Sequence, residues 1–249
     1  MKRILTVISA LICLCFSWVA GAQNTYLVPD PQNAKWSYVE TDANGKETAR
    51  YFHSVESLKG DGINGTLKLK VETVSHDTPS ETGENAIFYR FKDGEFMVDL
   101  NAIFEGDMLA GLVKEAVKEE SADLSDDKVN EAIEMVKSQF KVSGEIRGIP
   151  RYPTIGKLPD FEFHFKFSIV NMKVTAEDRK IVGKEKLQTA AGTYDCFIMD
   201  ETITTKVMMT KEVEKTRSWY AHGIGLVKEI TYDKNGKAVS TMVLDSVNW

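Results

Sequence analysis

The side chains able to do chemistry are few and far apart. Four histidines stand at His53, His76, His164 and His222, with no His-Glu-x-x-His and no paired cysteines. That spacing specifies no zinc site. Cys13 and Cys15 fall in an N-terminal apolar run, so Cys196 is the one thiol of the remaining chain. With His222 as base it could serve as a nucleophile. Its neighbours Tyr194 and Ile198 share its face of an expected strand, which favours a buried structural cysteine. No Gly-x-Ser-x-Gly is present, and no glycine-rich phosphate loop opens a helix. Asp42-Ala43-Asn44-Gly45-Lys46 and Asp233-Lys234-Asn235-Gly236 look like starts of calcium loops, but neither continues to a ligand at position 12. Hairpin turns account for both. Carboxylates are abundant, which keeps open a hydrolase acting on envelope polymers through loop carboxylates. No catalytic residue and no metal ligand is assigned, and nothing asks for a cofactor.

One stretch could bind rather than react. Phe161, Phe163, Phe165 and Phe167 occupy alternate positions and share one face of a strand. On the concave side of a curved sheet they would form a ligand-binding stripe. The simpler reading is that two helices cover the stripe and it is the core a chain of this size requires. The candidate partners are an apolar small molecule, a lipid or an envelope protein, and an assembly role at the outer membrane is a further option.

The elements that must position these residues are mostly strands. Residues 1–22 read as a cleaved signal peptide. Lys2 and Arg3 precede an uncharged apolar run from Ile4 to Val19, and Ala20-Gly21-Ala22 supplies the small residues of a cleavage site. The run is shorter than the ~20 apolar residues of a spanning helix. The protein is therefore expected to be exported, to the periplasm or outer-membrane surface, with no transmembrane segment after cleavage. Residues 23–249 are expected to form one β-rich domain. Losing Lys2 and Arg3 takes the formal charge from −6 to −8. A net-acidic chain without a basic block argues against nucleic acid and anionic membrane surfaces.

Period-2 alternation runs through Lys35–Thr41, Glu47–Leu58 and Thr66–Val74, separated by Asn-Gly and Gly-rich breaks. Asn85–Phe91 and Glu95–Leu100 read as a hairpin across Asp93-Gly94. The period then becomes helical. Met108, Leu109, Leu112, Val113, Ala116 and Val117 form one stripe, and Val129, Ala132, Ile133, Val136 and Phe140 another. Two amphipathic helices at about 106–140 are expected to pack on the sheet. Lys141–Asp160, with three prolines and three glycines, reads as a long connector. Strands then recur from Phe161 to Val247, with a break near Ala176-Glu177-Asp178. The fold class is mainly β: a strongly curved antiparallel sheet, half-barrel or barrel, with a two-helix insertion.

Three segments carry a family resemblance. They are Lys186-Leu187-Gln188-Thr189-Ala190-Ala191-Gly192-Thr193-Tyr194-Asp195-Cys196, Trp219-Tyr220-Ala221-His222-Gly223-Ile224-Gly225-Leu226-Val227-Lys228 and Tyr232-Asp233-Lys234-Asn235-Gly236-Lys237. Lys35-Trp36-Ser37-Tyr38 and Leu158-Pro159-Asp160 fit the same pattern. Together they resemble the uncharacterised exported proteins of the DUF3108-like, or TapB-like, group of Gram-negative bacteria. The resemblance implies a secreted β-rich protein with a curved antiparallel sheet. It implies no catalytic residues.

Overall fold

The computed structural model describes residues 34–60, 64–76, 82–92, 95–100, 102, 126–150, 152–167 and 170–248. The expected signal peptide, the first expected helix and the Asp93-Gly94 turn lie outside the described residues.

The strands are β1 (Lys35–Asp42), β2 (Glu47–Gly60), β3 (Gly65–Ser75), β4 (Gly83–Lys92), β5 (Glu95–Val98), β6 (Phe140–Gly144), β7 (Ile146–Arg147), β8 (Gly156–Lys157), β9 (Phe161–Phe167), β10 (Val170–Thr189), β11 (Gly192–Val207), β12 (Thr210–Ala221), β13 (Gly225–Tyr232) and β14 (Ala238–Asn248). The helix α1 (Asp126–Gln139) leads into β6. All strand pairings are antiparallel within one sheet, in the order β6-β9-β10-β11-β12-β13-β14-β1-β2-β3-β4-β5-β7, with β8 beside β10.

The two ends of that order are consecutive in the chain. β6 pairs with β9, Phe140 to Phe167 through Gly144 to Phe163. Glu145 then donates its N–H to the Glu162 carbonyl at 3.0 Å. Directly afterwards β7 pairs with β5, Val98 to Ile146 and Met97 to Arg147. One short segment thus fastens the first sheet edge to the last and brings the sheet almost round to a barrel. At this seam β6 covers the outer edge of β9 and β7 that of β5, edges that would otherwise invite wrong pairing. Gly144 makes the crossing possible. Its φ is +96°, and a Cβ there would overlap the Glu162 carbonyl oxygen. The expected connector at 141–160 is corrected here, because it holds three short strands. Their lengths are too short for a periodic signal, and pairing partners far along the chain define them.

Alternation sets the burial. In β2, Ala49, Tyr51 and His53 are buried; in β3, Leu67, Leu69 and Val71 are. A first core collects these with Trp36, Tyr38, Tyr89, Phe91, Phe96, Tyr220 and Leu226. A second holds the Phe161–Phe167 stripe with Leu100, Ile146, Met172, Val174 and Ile203. α1 buries Val129 and Ile133, and Val136 packs on the second core. The spacing i, i+4, i+7 is the apolar face read from the sequence.

The break expected at Ala176-Glu177-Asp178 is a bulge inside one continuous strand. Register shifts between Glu177 and Lys180, and Asp178 adopts φ of +56°. A bulge re-aims the side chains around it. Here it sends Arg179 into the protein.

Candidate functional site

Arg179 is 1 % exposed, and so must find partners for a full charge inside the fold. Its Nε donates to Glu201 Oε2 at 2.9 Å. Its Nη1 donates to the Pro159 carbonyl at 2.8 Å, and its Nη2 to the Arg147 and Gly148 carbonyls at 2.8 and 3.1 Å. The guanidinium also lies 4.8 Å from the Phe161 ring centroid. This one side chain ties β10 to β11 and to the segments around β7 and β8.

Beyond Glu201 the polar interior continues. Thr216 donates to Glu201 Oε1 at 3.5 Å, and Ser218 donates to Glu229 Oε2 at 2.7 Å. Tyr51 donates to Glu40 Oε2 at 2.6 Å. Burial pushes the Glu201 carboxyl upward, against the pull of Arg179. Among the described residues Glu229 has no guanidinium beside it. Burial raises it to about 8, the Ser218 hydroxyl opposes the rise, and Glu201, Glu40 and Glu214 add to it.

The other face of these strands opens into a depression of about 1100 Å³. Register explains who lines it. Lys180 stands opposite Asp200, and Asp200 opposite Arg217; Thr202 stands opposite Lys215, and Lys215 opposite Tyr232. Lys157 faces Lys180 across β8. Five basic and three acidic residues line the depression of a chain whose formal net charge is −6. Arg217 holds Asp200 through Nε at 2.7 Å and Nη2 at 2.8 Å, a bidentate pair. Glu201 is held by Arg179. Lys180 and Lys215 make no ion pair among the described residues. Ile155 and Val182 add exposed apolar surface at the β8 side.

The phenylalanine stripe is elsewhere. Phe163 and Phe165 are each 1 % exposed, and Phe161 and Phe167 are buried too. Phe140 from β6 packs on them, with ring centroids 4.3 Å from Phe167 and 5.3 Å from Phe165. The four phenylalanines thus belong to the second core. Curvature continues until the sheet meets itself, and β6 and α1 cover the stripe. Each buried phenylalanine stabilises the fold by roughly 1.5–3 kcal/mol.

His53 is buried between Trp36 and Tyr38, with ring centroids 5.3 and 5.1 Å away. His76 meets Glu47 at 3.1 Å and His164 meets Glu162 at 3.4 Å. Among the described residues no three His, Cys, Asp or Glu side chains gather as a metal cluster. The Asp42 and Asp233 carboxylates each accept two backbone N–H groups within their own turns, from Asn44 and Lys46 and from Asn235 and Lys237. Cys196 is buried, and burial pushes its thiol to about 12. It is expected to resist iodoacetamide in the native protein at pH 8 and to react fully in urea. Native labelling within minutes would contradict this placement.

Sequence reasoning missed Arg179 and Glu201. Arg179 lies one position beyond the turn-like Glu177-Asp178 pair, where an inward charge has no periodic signature. The stretch from β8 into β14 holds almost the whole lining of the depression. Residues 156–244 match the DUF3108-like family model. The depression and its buried ion pair thus fall in the DUF3108-like segment. Two solved structures share the fold across nearly the whole chain. One is a protein of Bacteroides fragilis NCTC 9343 with YmcC-like fold, designated exported; it is 14% identical with a TM-score of 0.59, covering 90% of this chain and 99% of that one. The other, from Parabacteroides distasonis ATCC 8503, is designated a lipoprotein; it is 17% identical with a TM-score of 0.60, covering 91% and 99%. At these identities the likeness concerns the fold alone. No curated protein matches the chain. Among the described residues no helix is long and apolar enough to cross a membrane.

Proposed function

We propose that the protein is exported through its N-terminal signal peptide and works outside the inner membrane as a non-catalytic binding protein. Its ligand sits in the depression across β8 and β10–β13, not inside the barrel. One observation carries this reading. The depression presents Lys157, Lys180 and Lys215 to solvent, while two of its three carboxylates are already held by arginines. Such a surface attracts anionic groups and leaves no carboxylate pair for acid–base chemistry. The Phe161–Phe167 stripe, the other candidate lining for an apolar ligand, is buried in the second core.

Photo-crosslinking tests the location. A benzophenone side chain placed at Ile155 or Tyr232 in cells exporting the protein is expected to give discrete adducts. The same group at exposed Phe52 is expected to give none of them. Equal adducts from all three positions, or none, would remove the reading. Turnover of envelope polysaccharide or peptide by the purified protein would restore the hydrolase alternative.

A further inference from the structure

β10 is longer than its neighbours can cover. β11 pairs with it from Met172 to Thr189. On its other side β9 covers Val170–Ala176, and β8 covers Lys180 and Ile181 alone. From Val182 to Thr189 the strand is paired on one side only among the described residues. An open edge of eight residues invites another strand, and many proteins blunt such edges with lysines. The lysines here are turned the other way. Lys184 Nζ lies 4.4 Å over the Phe197 ring, and Lys186 Nζ lies 3.1 Å from Asp195, both partners being on β11. They leave the open side clear.

That edge runs directly out of the depression. Gly156 pairs with Ile181, so the antiparallel register sets Ile155 level with Val182. Ile155 is 65 % exposed, Val182 37 % and Tyr152 75 %. Ile155 and Val182 therefore give the start of the edge an apolar flank, and Lys157 and Lys180 stand beside it.

We propose that this edge takes an extended acidic segment of another exported protein as an added β-strand, collinear with β8. Backbone groups of Val182–Thr189 supply the ladder. Carboxylates of the segment meet Lys157 and Lys180, and its apolar residues lie on Ile155 and Val182. Strand addition of this kind draws affinity from main-chain hydrogen bonds and specificity from alternate side chains. The proposal rests on the depression being the binding site. It commits to an acidic partner because the lining is basic within a net-acidic chain.

Fluorescence anisotropy with three labelled ten-residue probes tests it: (Glu-Val)5, (Lys-Val)5, and (Glu-Val)5 methylated on every backbone nitrogen. The purified protein is expected to bind the first. Methylation, which removes the ladder donors but keeps the charge, is expected to weaken binding at least 10-fold. The K157E/K180E variant, altered at two exposed positions, is expected to weaken it at least 10-fold as well, and the basic probe is expected not to bind. Equal binding of the methylated probe would reduce the site to anion attraction and overturn the added strand. Displacement of the probe by phosphatidylglycerol vesicles would assign the surface to a membrane instead. A concentration-dependent dimer that excludes the probe would assign the edge to a second copy. If (Glu-Val)5 fails while crosslinks from Ile155 and Tyr232 persist, the peptide partner falls and the binding site stands. If both fail, both readings fall.

Discussion

Replacing Arg179 by alanine is expected to cost about 3–5 kcal/mol of unfolding free energy, the largest effect of any single change in the β8–β13 region. The substitution strands Glu201 as a buried charge and leaves the carbonyls of Pro159, Arg147 and Gly148 without their guanidinium donor. An unsatisfied buried carbonyl costs about 1–3 kcal/mol where water cannot reach it. The size of the loss is not the strength of the ion pair. Desolvating two charges offsets much of their attraction, so a well-packed apolar pair can be as stable. R179M/E201M is therefore expected to recover part of the loss, though not the share due to the three carbonyls. Urea unfolding of the wild type, R179A, E201Q and R179M/E201M separates these contributions. If R179A unfolds within about 1 kcal/mol of the wild type, Arg179 is not the tie between β10 and the β7–β8 segments. If R179M/E201M is no better than R179A, the stranded charge is not the main cause.

That tie also marks where sequence reasoning stopped. The mainly-β class was legible because half-buried strands write their burial directly into period 2. Leu67, Leu69 and Val71 and the alternating phenylalanines are examples. α1 was legible for the equivalent reason at period 3.6. The closure was not. β7 has two residues and β8 has two, too few for any period, and their partners are Met97–Val98 and Lys180–Ile181. Because closure was invisible, the phenylalanine stripe was open to two readings, a core that the chain's size favoured and a ligand lining. The candidate site was hidden for a related reason. Lys157, Lys180, Lys215 and Arg217 are ordinary outward residues of three different strands, and only register brings them together. Arg179 showed itself merely as an interruption, because a bulge and a strand end look alike in sequence.

Above pH 6.5 the protein is expected to lose stability steadily, at about 1.4 kcal/mol per pH unit up to about pH 8. The cause is Glu229, which burial raises to about 8 from an ordinary 4.5. Between those values the folded chain keeps a proton that the unfolded chain has released, so rising pH favours unfolding. His53 works in the opposite sense. Burial lowers it to about 3 from 6.5, so between those values the unfolded chain takes up a proton that the folded chain refuses. Rising pH there favours folding. From 4.5 to 6.5 the two slopes have opposite signs and similar size, and the profile is expected to be nearly flat. Past 6.5 His53 is neutral in both states and no longer opposes Glu229. The E229Q variant discriminates this account from a general effect of charge. Glutamine keeps an acceptor for Ser218, whose hydroxyl now donates to Glu229 at 2.7 Å. It is expected to be more stable than the wild type at pH 8 by about 2 kcal/mol or more. Its stability is expected to rise between 4.5 and 6.5, where His53 is no longer balanced, and then to level off. Denaturant midpoints at half-unit pH steps read both slopes. Parallel profiles for wild type and E229Q would mean that Glu229 is ionised inside the fold, with a counter-charge that the Ser218 contact does not provide.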